Sequence, residues 1–250
     1  MQLHELEPEM EEFLARLVPG LSPAWSGVTA DEVAQVEDLA GRPLPRFYRW
    51  FLRRLGRDMG PLRYRSLDFS PAQIVAAYSE GLVERGRRYL LIGRDLGPAT
   101  PSHAFYDLDQ PVRDDAMVVS GEALDDELEP SFETFREMLA WGALLTHGIQ
   151  RHPQRCVGVL KDRDGDVRAR LDPVLHSLGF ACPIAAGRWC GVYRGPHADM
   201  ISKVSPAVEP RLHVFRIGAT DSTTIRRILG EIVSETSLEL KIDGWQPELA

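Results

Sequence analysis

The chain has 250 residues, 44% of them hydrophobic and 26% charged, with a net charge of −8; that balance can build a full core and argues against intrinsic disorder. Its acidic start, MQLHELEPEMEEFLARLVPG, lacks the basic and apolar regions of a signal peptide, and no uncharged stretch reaches the roughly 20 apolar residues of a membrane span. Three cysteines are too few, and odd in number, for a disulfide framework, so a cytoplasmic setting with no membrane partner is expected.

Pro8 to Leu17 places Met10, Phe13, Leu14 and Leu17 at helical spacing and ends at Pro19-Gly20. VTADEVAQVEDLAG opens with a capping box, Thr29 with Glu32, buries Val33, Val36 and Leu39, and stops at Gly41. The next stretch, GRPLPRFYRWFLRRLGRD (41–58), can be read as a phosphate-gripping surface or as an amphipathic helix. Spacing favours the helix: Leu44, Phe47, Tyr48, Phe51, Leu52 and Leu55 share one apolar face, with Pro45 in the first turn and Trp50 at the edge. The arginines then form a solvated face, free to pair with carboxylates, and direct nucleic-acid contact is not expected.

PLRYRSLDF reads as a short strand, and Ser70-Pro71 opens a helix reaching about Val83. RYLLIGRD, SHAFYDLD and AMVVSGEA follow as strands, with Ala104, Tyr106 and Leu108 alternating against Phe105 and Asp107. PSFETFREMLAWGALL is a helix capped by Ser131. The order is helices, a sheet meander with one interrupting helix, then a helix.

Around residues 146–154 the hydrophobic periodicity lapses and the charge balance changes. Residues 1–145 hold 15 arginines, no lysine and 25 acidic residues, a net −10, which leaves +2 for the remainder. Beyond this segment RCVGVLKD reads as a strand, and GDVRARLDPVLHSLGF as a helix that Pro173 either breaks or delays to Asp172. FACPIAA and RWCGVYRG read as a hairpin, RLHVFRIG as a strand, DSTTIRRILGEIVSET as a helix capped by Asp221 or Ser222, and LELKID as the last strand. The expected fold class is α+β. Residues 1–145 form a domain of helices packed on a mainly antiparallel sheet, 146–154 a linker, and 155–250 a second α/β sandwich, with a ferredoxin-like arrangement as its candidate.

The chemical signatures are nearly all missing. There is no Gly-x-Ser-x-Gly, His-Glu-x-x-His, Walker loop or Cys-x-x-Cys. GATDST (218–223) lacks the lysine of a phosphate loop and reads as an N-cap, and DRDGD (162–166) lacks the sixth-position Gly and twelfth-position Glu of a calcium loop. His147, His152, Cys156, Cys182 and Cys190 match no familiar zinc spacing. No catalytic residue, metal or cofactor is assigned. Acidity stands out instead: residues 107–129 carry nine carboxylates against Arg113 alone. Asp107, Asp109, Asp114, Asp115, Asp125, Asp126 and Glu127 are the candidate partner-binding residues, since a concentrated negative field steers a basic partner.

The first half resembles the SUKH superfamily. The resemblance runs from VTADEVAQVEDLAG through Gly41, Leu44-Pro45, Tyr48 and Phe51, to YLLIGRDLG, FYDLD and PSFETFREMLAW, about residues 25–145. One departure is LGRDMG, where the family commonly has Asn-Gly. The C-terminal half resembles no named family. The resemblance implies an α+β domain without catalytic residues and, for bacterial members, an immunity protein that binds and neutralises a cognate toxin, often a nuclease or another nucleic-acid-modifying enzyme. An acidic inhibitor is the electrostatic complement of such a basic enzyme. The alternative is a regulatory or adaptor module whose C-terminal domain binds a small ligand or a second protein.

Overall fold

In the computed structural model the described residues are 7–21, 25–64, 66–86, 88–97, 101–123, 128–163, 165–204 and 211–247. They contain seven α-helices and two five-stranded sheets. The chain divides into two units, 1–138 and 139–250. The dividing point lies within a helix, ahead of the 146–154 segment.

The first unit opens with α1 (Pro8–Leu17) and α2 (Ala30–Ala40). The capping box of α2 is formed: Thr29 Oγ1 accepts from the Glu32 amide, and Glu32 Oε2 accepts from the Thr29 amide at 2.8 Å. Gly41 ends α2 at φ 64°, a left-handed conformation that costs a residue with a Cβ. α3 (Arg46–Leu55) begins one residue after Pro45, which sits at the N-cap rather than in the first turn. Phe47, Tyr48, Phe51, Leu52 and Leu55 are buried as expected. Trp50 is buried too, not at an edge, because its indole N–H donates to Glu11 Oε1 of α1 at 2.8 Å and so satisfies its polar atom inside.

The sheet follows as β1 (Leu67–Asp68), β2 (Tyr89–Asp95), β3 (His103–Val112), β4 (Asp115–Gly121) and β5 (Glu129–Phe132), with α4 (Pro71–Ser79) between β1 and β2. The strands lie in sequence order and every neighbouring pair is antiparallel. Simple alternation fails along β3, whose residues 103–108 are all buried. The register explains why. Leu90, Tyr106 and Val118 lie side by side on one face, where Tyr106 meets Tyr48 and Phe135. Leu91, Phe105 and Val119 share the other, packed with Ala77 of α4 and with Val83. A strand covered on both faces has no polar side to show.

Ser131 does not cap the closing helix. It lies in β5, because Phe132 pairs in register with Val118, and α5 (Phe135–His147) starts one turn later. Thr134 Oγ1 accepts from the Glu137 amide at 3.1 Å and acts as the cap instead. Phe135, at the head of α5, is the hub of the core, with its ring 4.8 Å from Phe51, 5.5 Å from Phe69, 5.9 Å from Tyr48 and 6.0 Å from Phe47 and Tyr106.

The second unit contains β6 (Gln154–Lys161), α6 (Val167–Ser177), β7 (Cys190–Arg194), β8 (Ala198–Val204), β9 (Leu212–Ala219), α7 (Ser222–Glu235) and β10 (Glu239–Gln246). Its sheet order is β10-β6-β9-β8-β7, antiparallel throughout. Asp166 and Asp221 cap α6 and α7 through the Ala169 and Thr224 amides. Pro173 neither breaks nor delays α6 but sits inside it. There, Leu171, Val174 and Leu175 bury one side, and Arg168 grips Asp172 across a turn. The expected hairpin is absent: FACPIAA contributes only the bridge of Ala181 to Arg194, and RWCGVYR pairs with β8. β8 escapes sequence reading because Asp199, Ser202 and Lys203 interrupt its apolar run. Asp199 nevertheless lies buried, held by His152 and Arg194 at 3.1 Å each.

Candidate partner-binding surface

The four described residues of the acidic set lie along β3 and the turn into β4, and they face different ways. Asp115 is 2% exposed. Its Oδ1 accepts from the Tyr106 hydroxyl at 2.7 Å and from its neighbour's amide at 2.9 Å, while Oδ2 accepts from the Arg136 amide at 2.9 Å, capping α5. Burial pushes its carboxyl up to about 6 against the pull of these donors and of the Arg136 guanidinium. Asp107 is also buried, under Arg88, which donates to both its oxygens and stacks on Tyr89. Neither carboxylate presents itself to a partner.

Asp114 is partly exposed and shared between Arg46 and Arg136 at 3.2 Å. Asp109 is exposed and paired with Arg42 at 2.9 Å, an arrangement that adds little stability at a surface. Asp125, Asp126 and Glu127 lie outside the described residues. The arginines of α3 are similarly engaged: Arg46 with Glu7, Arg49 with Glu37 and Arg54 with Glu11. The negative excess that reaches solvent therefore comes from residues such as Glu9, Asp31, Asp38, Glu84, Glu122 and Glu129, all exposed and spread over several elements.

A concave site lies elsewhere in the first unit, where the end of α3 meets β1. It is an open cleft of about 310 Å³. Asp58 shapes its wall: its Oδ1 accepts from the Gly60 amide at 2.9 Å and from Arg63 at 2.8 Å, and these two partners, the amide foremost, hold its carboxyl below the usual range. Asp68 Oδ1 accepts from the Ser70 amide at 2.8 Å just before α4. Met59 and Phe69 give an apolar floor, and Leu96, 55% exposed, stands at the rim. Among the described residues β1 is the outer strand of its sheet, so the cleft adjoins a sheet edge. Sequence reading singled out part of this wall, LGRDMG, only as a departure from the family pattern. The local signal was Asp58-x-Gly60, an aspartate turn closed on a glycine at φ 54°.

In the second unit Arg168 donates to the carbonyls of Ala186, Gly187 and Cys190 and to Asp172, which also accepts from the Tyr193 hydroxyl at 2.6 Å. This clamp ties residues 186, 187 and 190 to α6. Ser202 and His213 are buried nearby on the core face, and Ser202 Oγ and His213 Nδ1 have no hydrogen-bond partner among the described residues. Cys156 is buried and its thiol pushed up to about 11 by burial, the opposite of activation. Among the described residues no three His, Cys, Asp or Glu side chains converge as metal ligands. An apolar groove of about 390 Å³ runs between α7 and β10, where Val233 and Ile242 are exposed and Arg226 lies over Trp245. No described helix is long and apolar enough to cross a membrane.

No protein-family model, curated protein or solved structure matches this chain.

Proposed function

We propose that the chain is a cytoplasmic, non-catalytic immunity protein that binds a basic bacterial toxin domain and occludes its active site. The observation that carries this reading is that the residues of the SUKH resemblance occupy positions that decide a fold. Gly41 takes the left-handed turn after α2, Tyr48 and Phe51 stack 6.1 Å apart in the core, and a Cβ on Gly93 would lie 2.8 Å from the Phe69 ring. Helices, a meander interrupted by α4 and a closing helix make an α+β unit, which is compatible with the fold class that the resemblance implies. The acidic excess of the first half supplies complementarity to a basic enzyme.

For the second unit we infer a ferredoxin-like arrangement with β7 added at one edge. Without β7 the chain order is β6-α6-β8-β9-α7-β10 and the sheet order β10-β6-β9-β8, which supports that reading. The apolar groove between α7 and β10 favours a second role, a regulatory module that binds a small ligand or another protein there.

Co-expression with the toxin domain encoded beside this chain tests the first reading. Cells should survive and a complex should co-elute, with association slowed by charge reversal at the exposed Asp109 and Glu122 and less sensitive to salt. Cell death without a complex would refute it.

A further inference from the structure

We propose that the cleft beside β1 receives a single arginine or lysine side chain of the partner protein. The proposal rests on the toxin-binding reading for the identity of that partner. The cavity, about 310 Å³, stands at the small end of ligand pockets, enough for one long side chain.

Its walls match the two parts of such a side chain. Met59, Leu67, Phe69 and the exposed Leu96 offer apolar surface to the methylene stem. Asp58 and Asp68 offer carboxylates to the head group. Each commits Oδ1 to a backbone amide, Gly60 for one and Ser70 for the other, and Oδ2 of each has no partner among the described residues.

The two arginines of the wall do not turn the site into an anion receptor. Arg63 is bound to Asp58, and Arg57 is drawn to Glu32 Oε2 at 3.0 Å. With those charges engaged, Asp68 is the carboxylate in the wall with no cationic partner among the described residues. A buried arginine head with a packed stem is a common anchor of protein interfaces. The edge of β1, the outer strand of its sheet among the described residues, adds backbone groups for the residues that flank the inserted side chain.

The full-length protein, labelled with nitrogen-15, would be titrated with N-acetyl-arginine methylamide and separately with the norleucine and glutamate analogues. The arginine probe should shift the amides of Gly60, Ser70 and Leu96 saturably, and the other two should not. Asp68→Asn keeps an oxygen for the Ser70 amide while removing the charge, and should weaken the arginine probe about tenfold, the scale of one charge-assisted hydrogen bond. Leu96→Ser, at an exposed position, should weaken it without disturbing the remaining spectrum. Absence of saturable shifts at these amides, equal binding of the glutamate analogue, or an unchanged Asp68→Asn titration would each overturn the proposal. Survival on co-expression despite such a result would reject the cleft alone, whereas arginine binding without protection would reject the toxin reading alone.

Discussion

Replacing Asp115 by asparagine probes the most heavily invested carboxylate of the first unit. The group is 2% exposed and receives three donors, the Tyr106 hydroxyl and the amides of Ala116 and Arg136. Burial outweighs them and lifts its pKa from 3.8 to about 6. The folded state thus holds a proton that the unfolded chain releases, so the contribution of this group is most favourable below pH 3.8 and is lost as pH rises through about 6. A shift of that size, at about 1.4 kcal/mol per pH unit, amounts to about 3 kcal/mol. Asparagine abolishes the titration but turns an N–H₂ toward one of the three donors, a fixed cost of about 1–3 kcal/mol. Urea unfolding, followed by tryptophan fluorescence, should therefore find Asp115→Asn less stable than the parent at pH 4, with the gap closing by about 2 kcal/mol by pH 7.5. The carbon-13 shift of the Asp115 carboxyl should titrate near pH 6. A gap that does not change with pH, or a carboxyl that titrates near its ordinary value, would mean that the three donors outweigh burial.

Phe135→Ala removes the ring that touches five others and should destabilise the first unit by about 3–5 kcal/mol, measured by urea unfolding. A loss under about 1 kcal/mol would mean that the aromatic cluster repacks around the gap. In the second unit His213 is held neutral, its pKa pushed down to about 4, first by burial and then by Arg168. Below pH 6.5 the unfolded chain takes up a proton that the folded state refuses, so stability should fall by about 3 kcal/mol between pH 6.5 and 4. His213→Leu should flatten that part of the profile in hydrogen-exchange measurements on β9 amides.

Local chemistry was legible where a few neighbouring residues decide the outcome. The Thr29/Glu32 box, the Gly41 stop, the α1 stripe and the Asp221 cap need only contacts within one or two turns. What escaped was decided by distant pairing. Ser131 and Thr134 are both cap residue types; Thr134-x-x-Glu137 is a capping-box pattern that favours the later start, and the match of Phe132 with Val118 draws Ser131 into β5. Pro173 reads as a breaker until the Arg168–Asp172–Tyr193 clamp is present to hold its helix. The burial of Asp107 and Asp115 was illegible for the same reason. A run of carboxylates looks solvated in one dimension, and the arginines that bury Asp107 and engage Asp114 come from residues 88, 46 and 136.

The absence of lysine from residues 1–145 becomes intelligible through those pairings. Arg136, 12% exposed at its side chain, reaches Glu7 and Asp114 together while lying 4.5 Å over the Phe47 ring. Arg54 likewise holds Glu11, which also accepts from Trp50, and lies 4.6 Å from the Trp25 ring. A planar fork with five donors can bridge two carboxylates and stack on an aromatic face at once, and a lysine ammonium cannot do both. Near the core, arginine therefore serves to place carboxylates and aromatics against each other. The charge available to a partner is what remains after this internal matching. It resides in exposed acids such as Glu122 and Glu129 and in the carboxylates of the cleft, and there a basic surface should exert its pull.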